Sequence, residues 1–251
     1  MKIKKKFLIV LILLIIYQIT GIIFKWYKRR KKIKYRENIV VLGLSRTGTS
    51  SICEALKILG NESWHFTYLK PEIMRKLGFN AIGDLPNLRR TFSMSDIKPN
   101  TKYILTTRTM DLWEKSMKKW IEEIWNIDIN NPLIRPPIFN KYYNLGDNVF
   151  KKSPINCISN LVHNITHEYP EIYTGNLKDV IKNHEKRLVT LFDKSGNRDK
   201  LLIIDITDKS IDSHNKWKKL CKFLKIDVIP QISFPKESYE NVFVKQIKRV
   251  I

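Results

Sequence analysis

The sequence predicts an α/β protein, a three-layer parallel sheet flanked by helices and preceded by one membrane-spanning helix. Three observations carry that reading. Short β-branched apolar runs alternate with longer helical segments, a Gly-rich turn follows the first run, and an uncharged stretch of 18 residues stands near the amino terminus. The 251 residues, 43% hydrophobic, suffice for one good-sized core. The expected organisation is an anchor with a basic juxtamembrane segment over 1–36 and a single domain over 37–251.

Residues 7–24, "FLIVLILLIIYQITGIIF", form the uncharged run. At about 1.5 Å per helical residue it spans roughly 27 Å, enough for a bilayer core. Trp26 and Tyr27 follow as interfacial anchors, and dense positive charge with no small-x-small cleavage site argues against a cleaved signal peptide. The expected location is therefore a membrane, crossed once. Eight basic residues between Lys25 and Arg36, against four lysines before the run, favour a cytosolic body, whereas the sequons at Asn61 and Asn164 permit a lumenal, Golgi-type one. The orientation stays open.

The net charge of +22 is uneven. Residues 1–36 hold twelve Lys and Arg and no Asp or Glu, leaving 34 basic against 24 acidic residues, or +10, for the body. Such a surface suits anionic ligands, although a chain rich in Lys, Asn and Ile is basic for compositional reasons too. No motif reads RNA or DNA, so nucleic acid is not an expected partner. Cys53, Cys157 and Cys221 are widely spaced, and no Cys/His cluster suggests a metal.

Within the body, "NIVVLG" (38–43) reads as a strand ending at a Gly-rich turn. "TSSICEALKILG" then places Ile52, Ala55, Leu56 and Leu59 at helical spacing before Gly60. Further strands are expected at 63–67, 80–83, 102–107 and 201–206, and helices at 110–125, 154–168, 176–194 and 213–224. Residues 126–148, with Pro132, Pro136 and Pro137, read as a long irregular insertion of the kind that borders substrate sites.

The turn itself is "GLSRTGTSS" (43–51). Gly43, four residues and Gly48 match a phosphate-binding loop, but Thr49 stands where G-x-x-x-x-G-K-[ST] needs lysine. Between a strand end and a helix start, backbone N–H groups and the helix dipole bind a phosphate or sulfate, Gly48 allows close approach, and Arg46 supplies a cation. Asp205, after "LLII", is the one candidate for a magnesium-holding carboxylate. A second element lies at "KYILTTRTMDLWEKS" (102–116). Arg108 at the strand end can grip a phosphate bidentately, and Ser116, about two turns into the following helix, can add a hydroxyl. Taken individually, the turn could be only a turn, Arg108 a solvated strand end and Ser116 a helix-surface residue.

Taken together, the loop, the strand with Arg108 and Ser116 eight residues on resemble the sulfotransferase family. The loop is similar to that family's P-[KR]-[ST]-G-T-[ST] pattern, and "GFNAIGDLPNL", "LLIIDITDKSIDSHNKWKKLCKFLKI" and "SFP" resemble its later blocks. The similarity runs from about Asn38 to Pro235 and is greatest to the branch with R-T-G-T loops and a D-x-P segment. The resemblance implies a P-loop-type sheet and transfer of a sulfuryl group from 3'-phosphoadenosine 5'-phosphosulfate to an acceptor hydroxyl of a carbohydrate, lipid or small molecule. It implies that Arg46, Thr47, Gly48, Thr49 and Ser50 hold the phosphosulfate, with Arg46 also catalytic, and that Arg108 and Ser116 hold the 3'-phosphate. No metal is implied, because the transferred group carries little charge. Two features depart from the soluble members. Ser51 replaces an aromatic residue, and the Gly-rich carboxy-terminal nucleotide segment is missing, its place open to Lys236, Lys245, Lys248 and Arg249 or to a solvated basic tail.

An acceptor hydroxyl needs a proton acceptor. Asp84, in "GDLP", resembles in position the catalytic histidine of the T-H-L-P segment, and would otherwise be a helix N-cap ahead of Pro86. His65 is the second candidate, where a core histidine is the competing reading. His184 lies on the face of Val180, Leu188 and Leu191 and is expected to be structural, and Glu54 is a weaker candidate. Two other readings stay open, a P-loop small-molecule or nucleotide kinase and a non-catalytic membrane-tethered anion-binding protein. The acceptor and the oligomeric state have no code in the sequence.

Overall fold

The computed structural model describes Tyr27 and residues 37–67, 69–85, 91–125 and 177–236. Five strands form one sheet, β1 (Asn38–Val41), β2 (Ser63–His65), β3 (Ala81–Gly83), β4 (Thr101–Thr106) and β5 (Leu201–Ile204). All pairings are parallel, in the order β2-β3-β1-β4-β5. The helices are α1 (Thr49–Ile58), α2 (Pro71–Lys76), α3 (Met110–Trp125), α4 (Leu177–Lys194) and α5 (Ser213–Leu224).

The strands are buried on both faces, and side chains alternate between two cores. Ile39, Val41, Ile104, Leu202 and Ile204 meet Ile52, Leu56, Trp217 and Leu220 of α1 and α5. Val40, Leu42, Tyr103, Leu105 and Leu201 meet Met74 of α2, Phe79, Phe92, and Leu188 and Phe192 of α4. In the second core, Phe92, Tyr103 and Phe192 pack ring against ring, with centroids 5.1–5.9 Å apart. These are the three expected layers.

All five expected strands and four of the expected helices are present. Two strands, β2 and β5, stop two residues before their apolar runs do, and β4 stops one residue before. β2 ends at His65, where Phe66 turns left-handed (φ 65°) and donates its N–H to Gly83 O, and β3 ends at Gly83 as expected, with Asp84 also left-handed (φ 55°). The expected membrane span (7–24), the 154–168 helix, the 126–148 insertion and Cys157 lie outside the described residues. Among those described, no helix is long and apolar enough to cross a membrane. Cys53 and Cys221 are buried free thiols. Burial pushes the Cys53 thiol up to about 12, so it is an inert core group. In the folded domain the first sequon is engaged by the core: Asn61 Nδ2 donates to Leu56 O, its Oδ1 accepts from Asn80, and Ser63 is fully buried.

β1 lies at the centre, with β3 on one side and β4 on the other, so the crevice beyond its carboxyl end is the position where such sheets bind ligands. The aromatic cluster under α4 holds that arrangement. Phe192→Ala should cost roughly 3–5 kcal/mol of unfolding free energy in a denaturant titration, and a loss under about 1 kcal/mol would show that α4 is not part of the cooperative core.

Candidate active site

The loop between β1 and α1 is built by two close approaches. Gly43 lies against β4, where an added Cβ would meet Thr106 Oγ1 at 1.7 Å and Thr47 Oγ1 at 2.7 Å. Thr47, fully buried, bonds Leu44 O at 2.6 Å and Thr106 Oγ1 at 2.7 Å. This expected ligand residue therefore spends its hydroxyl on closing the loop against β4. Gly48 caps α1 with φ 95°, and its missing Cβ would meet Ile206 Cδ1 at 2.6 Å. With no side chain at the cap, the N–H groups of Thr49 and Ser50 are left to a ligand or to water, which is how a helix start binds an anion.

Thr49 and Ser50, in that first turn, are both buried and both face His65. Thr49 Oγ1 is 3.0 Å and Ser50 Oγ 3.1 Å from its Nε2. The same nitrogen is 3.6 Å from Asp84 Oδ2, and Ser45 donates to Asp84 Oδ1 at 3.2 Å. His65 and Asp84, from neighbouring strand ends, thus share one buried polar cluster with the loop. Asp84 lies in the left-handed region and not in the extended backbone typical of an N-cap side chain. Arg46, Phe66 and Asp84 are all left-handed, and they follow three adjacent strands. Such conformations are costly for side-chain-bearing residues and collect at functional sites.

The two elements read separately in the sequence are one structure. Arg46 Nε donates to Ser116 Oγ at 3.2 Å, and Arg108 Nη1 donates to Arg46 O at 3.1 Å. Trp113, fully buried on α3, donates its indole N–H to Ser45 O at 2.9 Å. Helix α3 and the end of β4 therefore clamp the loop from one side. Arg108 Nε is buried with no hydrogen-bond partner among the described residues. The Arg108 guanidinium is held below its ordinary pKa, first by burial and then by the Arg46 charge, with Asp205 opposing both. Two cations meeting around a row of free amides form a site that an anion would relieve.

Around this centre the remaining candidates separate. Asp205 Oδ1 accepts from Thr207 N and Oγ1 and from Asp208 N, so that oxygen shapes the turn after β5. Among the described residues no group of three or more His, Cys, Asp or Glu is placed to hold a metal. His184 bonds Leu42 O at 2.8 Å, tying α4 to β1 as a structural residue would. Glu54 pairs with Lys57 on α1. Lys236 is exposed at the end of the described chain, and Lys245, Lys248 and Arg249 lie outside it. Ser45, Trp113 and Thr106 were not anticipated, because their roles are contacts between segments 39 to 68 residues apart.

A family profile described as "Sulfotransferase domain" matches residues 38–77 and 71–243. The chain belongs to the sulfotransferase family. Its chemistry is accordingly the transfer of a sulfuryl group. Among solved structures, a sulfotransferase from Alicyclobacillus acidocaldarius is similar at 13% identity and a TM-score of 0.38, over 90% of each chain. No curated protein matches. In this sulfotransferase the cationic half of the site is edged by a carboxyl of unusual character. Glu185, half-buried on α4, is pushed up to about 7, first by burial and then by the Asp205 charge.

A carboxyl with a raised folded pKa holds its proton in the native state while the unfolded chain has released it. Its contribution to stability is thus present at low pH and lost as pH rises toward 7. Glu185→Gln should flatten this part of the stability–pH curve between about 4.5 and 7. Urea titrations across that window would check it, and an unchanged slope would show that Glu185 ionises normally. Trp113→Phe, which deletes the N–H bond to Ser45 O together with the five-membered ring of a fully buried indole, should cost at least about 1–2 kcal/mol in the same assay.

Proposed function

We propose that this sulfotransferase takes its sulfuryl group from 3'-phosphoadenosine 5'-phosphosulfate and delivers it to a hydroxyl of a carbohydrate, lipid or small molecule, while anchored in a membrane by the segment at 7–24. The observation that carries the donor assignment is the buried, unsatisfied Arg108 Nε beside Arg46 and Ser116. A donor atom that folding leaves without a partner is expensive unless a ligand meets it. The residues present fit a nucleotide with two separate anionic groups. Arg46 and the free amides from Gly48 to Ser50 suit the phosphosulfate, and Arg108 with Ser116 suits the 3'-phosphate. The bound donor supplies an activated sulfuryl group.

The chain's own part is positioning and charge stabilisation. Arg46 and the amides at the start of α1 face the charge that develops on the leaving side. Thr49 and Ser50 are oriented by His65, whose Nε2 is turned to the loop hydroxyls, which makes it a positioning residue. Asp84 is the proton acceptor in this reading. It follows β3 beside the loop, and the Ser45 hydroxyl holds one oxygen in place.

A thermal-shift comparison of the full chain with adenosine 3',5'-bisphosphate and with ATP plus magnesium separates this reading from a kinase. The bisphosphate should stabilise by about 2.7 kcal/mol at a hundred times its Kd. Arg108→Ala should weaken its binding about 10–100-fold, the worth of charge-assisted bonds. Stabilisation by magnesium-ATP alone would point to a kinase, and indifference to both to an anion-binding protein without this activity. Asp84→Asn should keep bisphosphate binding while slowing donor turnover about 10²–10⁴-fold, as loss of a general base does. Undiminished turnover would move that role to His65.

A further inference from the structure

The site occupies the carboxyl ends of the strands. The opposite edge of the domain, at the strands' amino ends, carries a surface with no part in that chemistry. We propose that the end of α5 and the segment after it, residues 218–232, rest on an anionic lipid bilayer, a contact that depends on the membrane tether proposed above.

Helix α5 has two distinct faces. Trp217, Leu220 and Cys221 are buried against the sheet, whereas Lys218, Lys219, Lys222 and Lys225 are exposed. The helix closes at Lys225, which turns left-handed (φ 57°), and the chain then presents Val228 at 78% and Ile232 at 56% exposure. Over 218–232, four lysines stand against one acidic residue, Asp227. Exposed aliphatic side chains beside a row of lysines are the composition of a surface that dips into lipid headgroups while pairing with their negative charge. Trp217 packs on Phe234 at 4.7 Å between ring centroids and donates to Ile232 O, and Ile226 and Ile229 pack against the core, so the segment is held to the domain with Val228 and Ile232 outward.

The position of this surface selects the partner. Residues 1–36 join the domain at Glu37, immediately before β1. Glu37 pairs with Lys102 Nζ at 2.7 Å, and that ammonium lies 5.7 Å from the centre of the Phe223 ring, in the last turn of α5. The chain therefore enters the domain beside the proposed surface. Lys25–Arg36, a basic stretch of 12 residues, reaches at most about 40 Å when extended, so an anchor at 7–24 keeps this edge close to its bilayer. Tethering raises the local concentration of lipid at the patch, which lets a few lysines and two aliphatic side chains suffice. Docked this way, the domain turns its carboxyl-edge site toward water.

The test uses the full chain, with Cys157→Ser, reconstituted into vesicles of phosphatidylcholine alone or with phosphatidylserine. Cys53 and Cys221 are buried, so a polarity-sensitive dye can be placed at Val228→Cys, or at Leu112→Cys, exposed at the carboxyl edge, as control. Nitroxide-bearing lipids should quench the dye at 228 severalfold more in phosphatidylserine vesicles than in phosphatidylcholine. The dye at 112 should be unaffected, and Lys218→Glu/Lys222→Glu/Lys225→Glu should abolish the difference while leaving bisphosphate binding intact. Equal quenching at both positions, none at 228 in vesicles that retain the chain, or indifference to the triple substitution would overturn the docking surface and leave the tether standing. A chain that fails to float with either vesicle would overturn both.

Discussion

The Thr47 hydroxyl is the interaction on which the rest of the site depends. By bonding Leu44 O and Thr106 Oγ1 it closes the loop upon itself and fastens it to the end of β4. That closure is possible only because Gly43 has no Cβ, since one would overlap Thr106. With the loop pressed onto β4, Arg46 is forced left-handed, its carbonyl meets Arg108, and its guanidinium meets Ser116 on α3. Trp113 seals the arrangement through Ser45 O. A single buried hydroxyl thus converts three separate segments into one cationic centre.

Charge is arranged around that centre by sheet order. The cations follow β1 and β4, while Asp205 follows β5 and adds to burial in raising the Glu185 carboxyl. On the β3 side stand Asp84 and His65, both buried. Under the proposed reaction this arrangement sets positive charge beside the leaving group and a carboxylate beside the acceptor's proton. Left-handed residues follow β2 and β3 directly and lie within the loop after β1, a clustering of costly backbone conformations of the kind found at functional sites.

Most of the fold was legible because its signals are local. β-branched runs, helical spacing in "TSSICEALKILG" and the glycines at 43 and 48 each state a backbone preference that neighbouring strands reinforce. The end of β2 before Phe66 was not legible, because an aromatic residue carries no preference for φ above zero. Its turn goes with the bond from Phe66 N–H to Gly83 O at the neighbouring strand end. In the site, Arg46, Arg108 and Ser116 could be named from motif and spacing. The assignment of Thr47 as a ligand residue could not anticipate that its hydroxyl turns inward, since Thr106 lies 59 positions away.

By itself the sequence determined the α/β class, the loop and its cation, and the two arginines, since strand, turn and helix preferences and charged residue types are properties of short segments. Only the tertiary structure decided which groups share the site. It brought Arg46 to Ser116, Ser45 to Asp84 and His65 to the loop hydroxyls, and it turned Thr47 away. The physical reason is that hydrogen bonds between side chains act over about 3 Å in space and carry no signature in sequence separation. Which residue types are available is written along the chain, and which of them meet is settled by the order in which five parallel strands lie side by side.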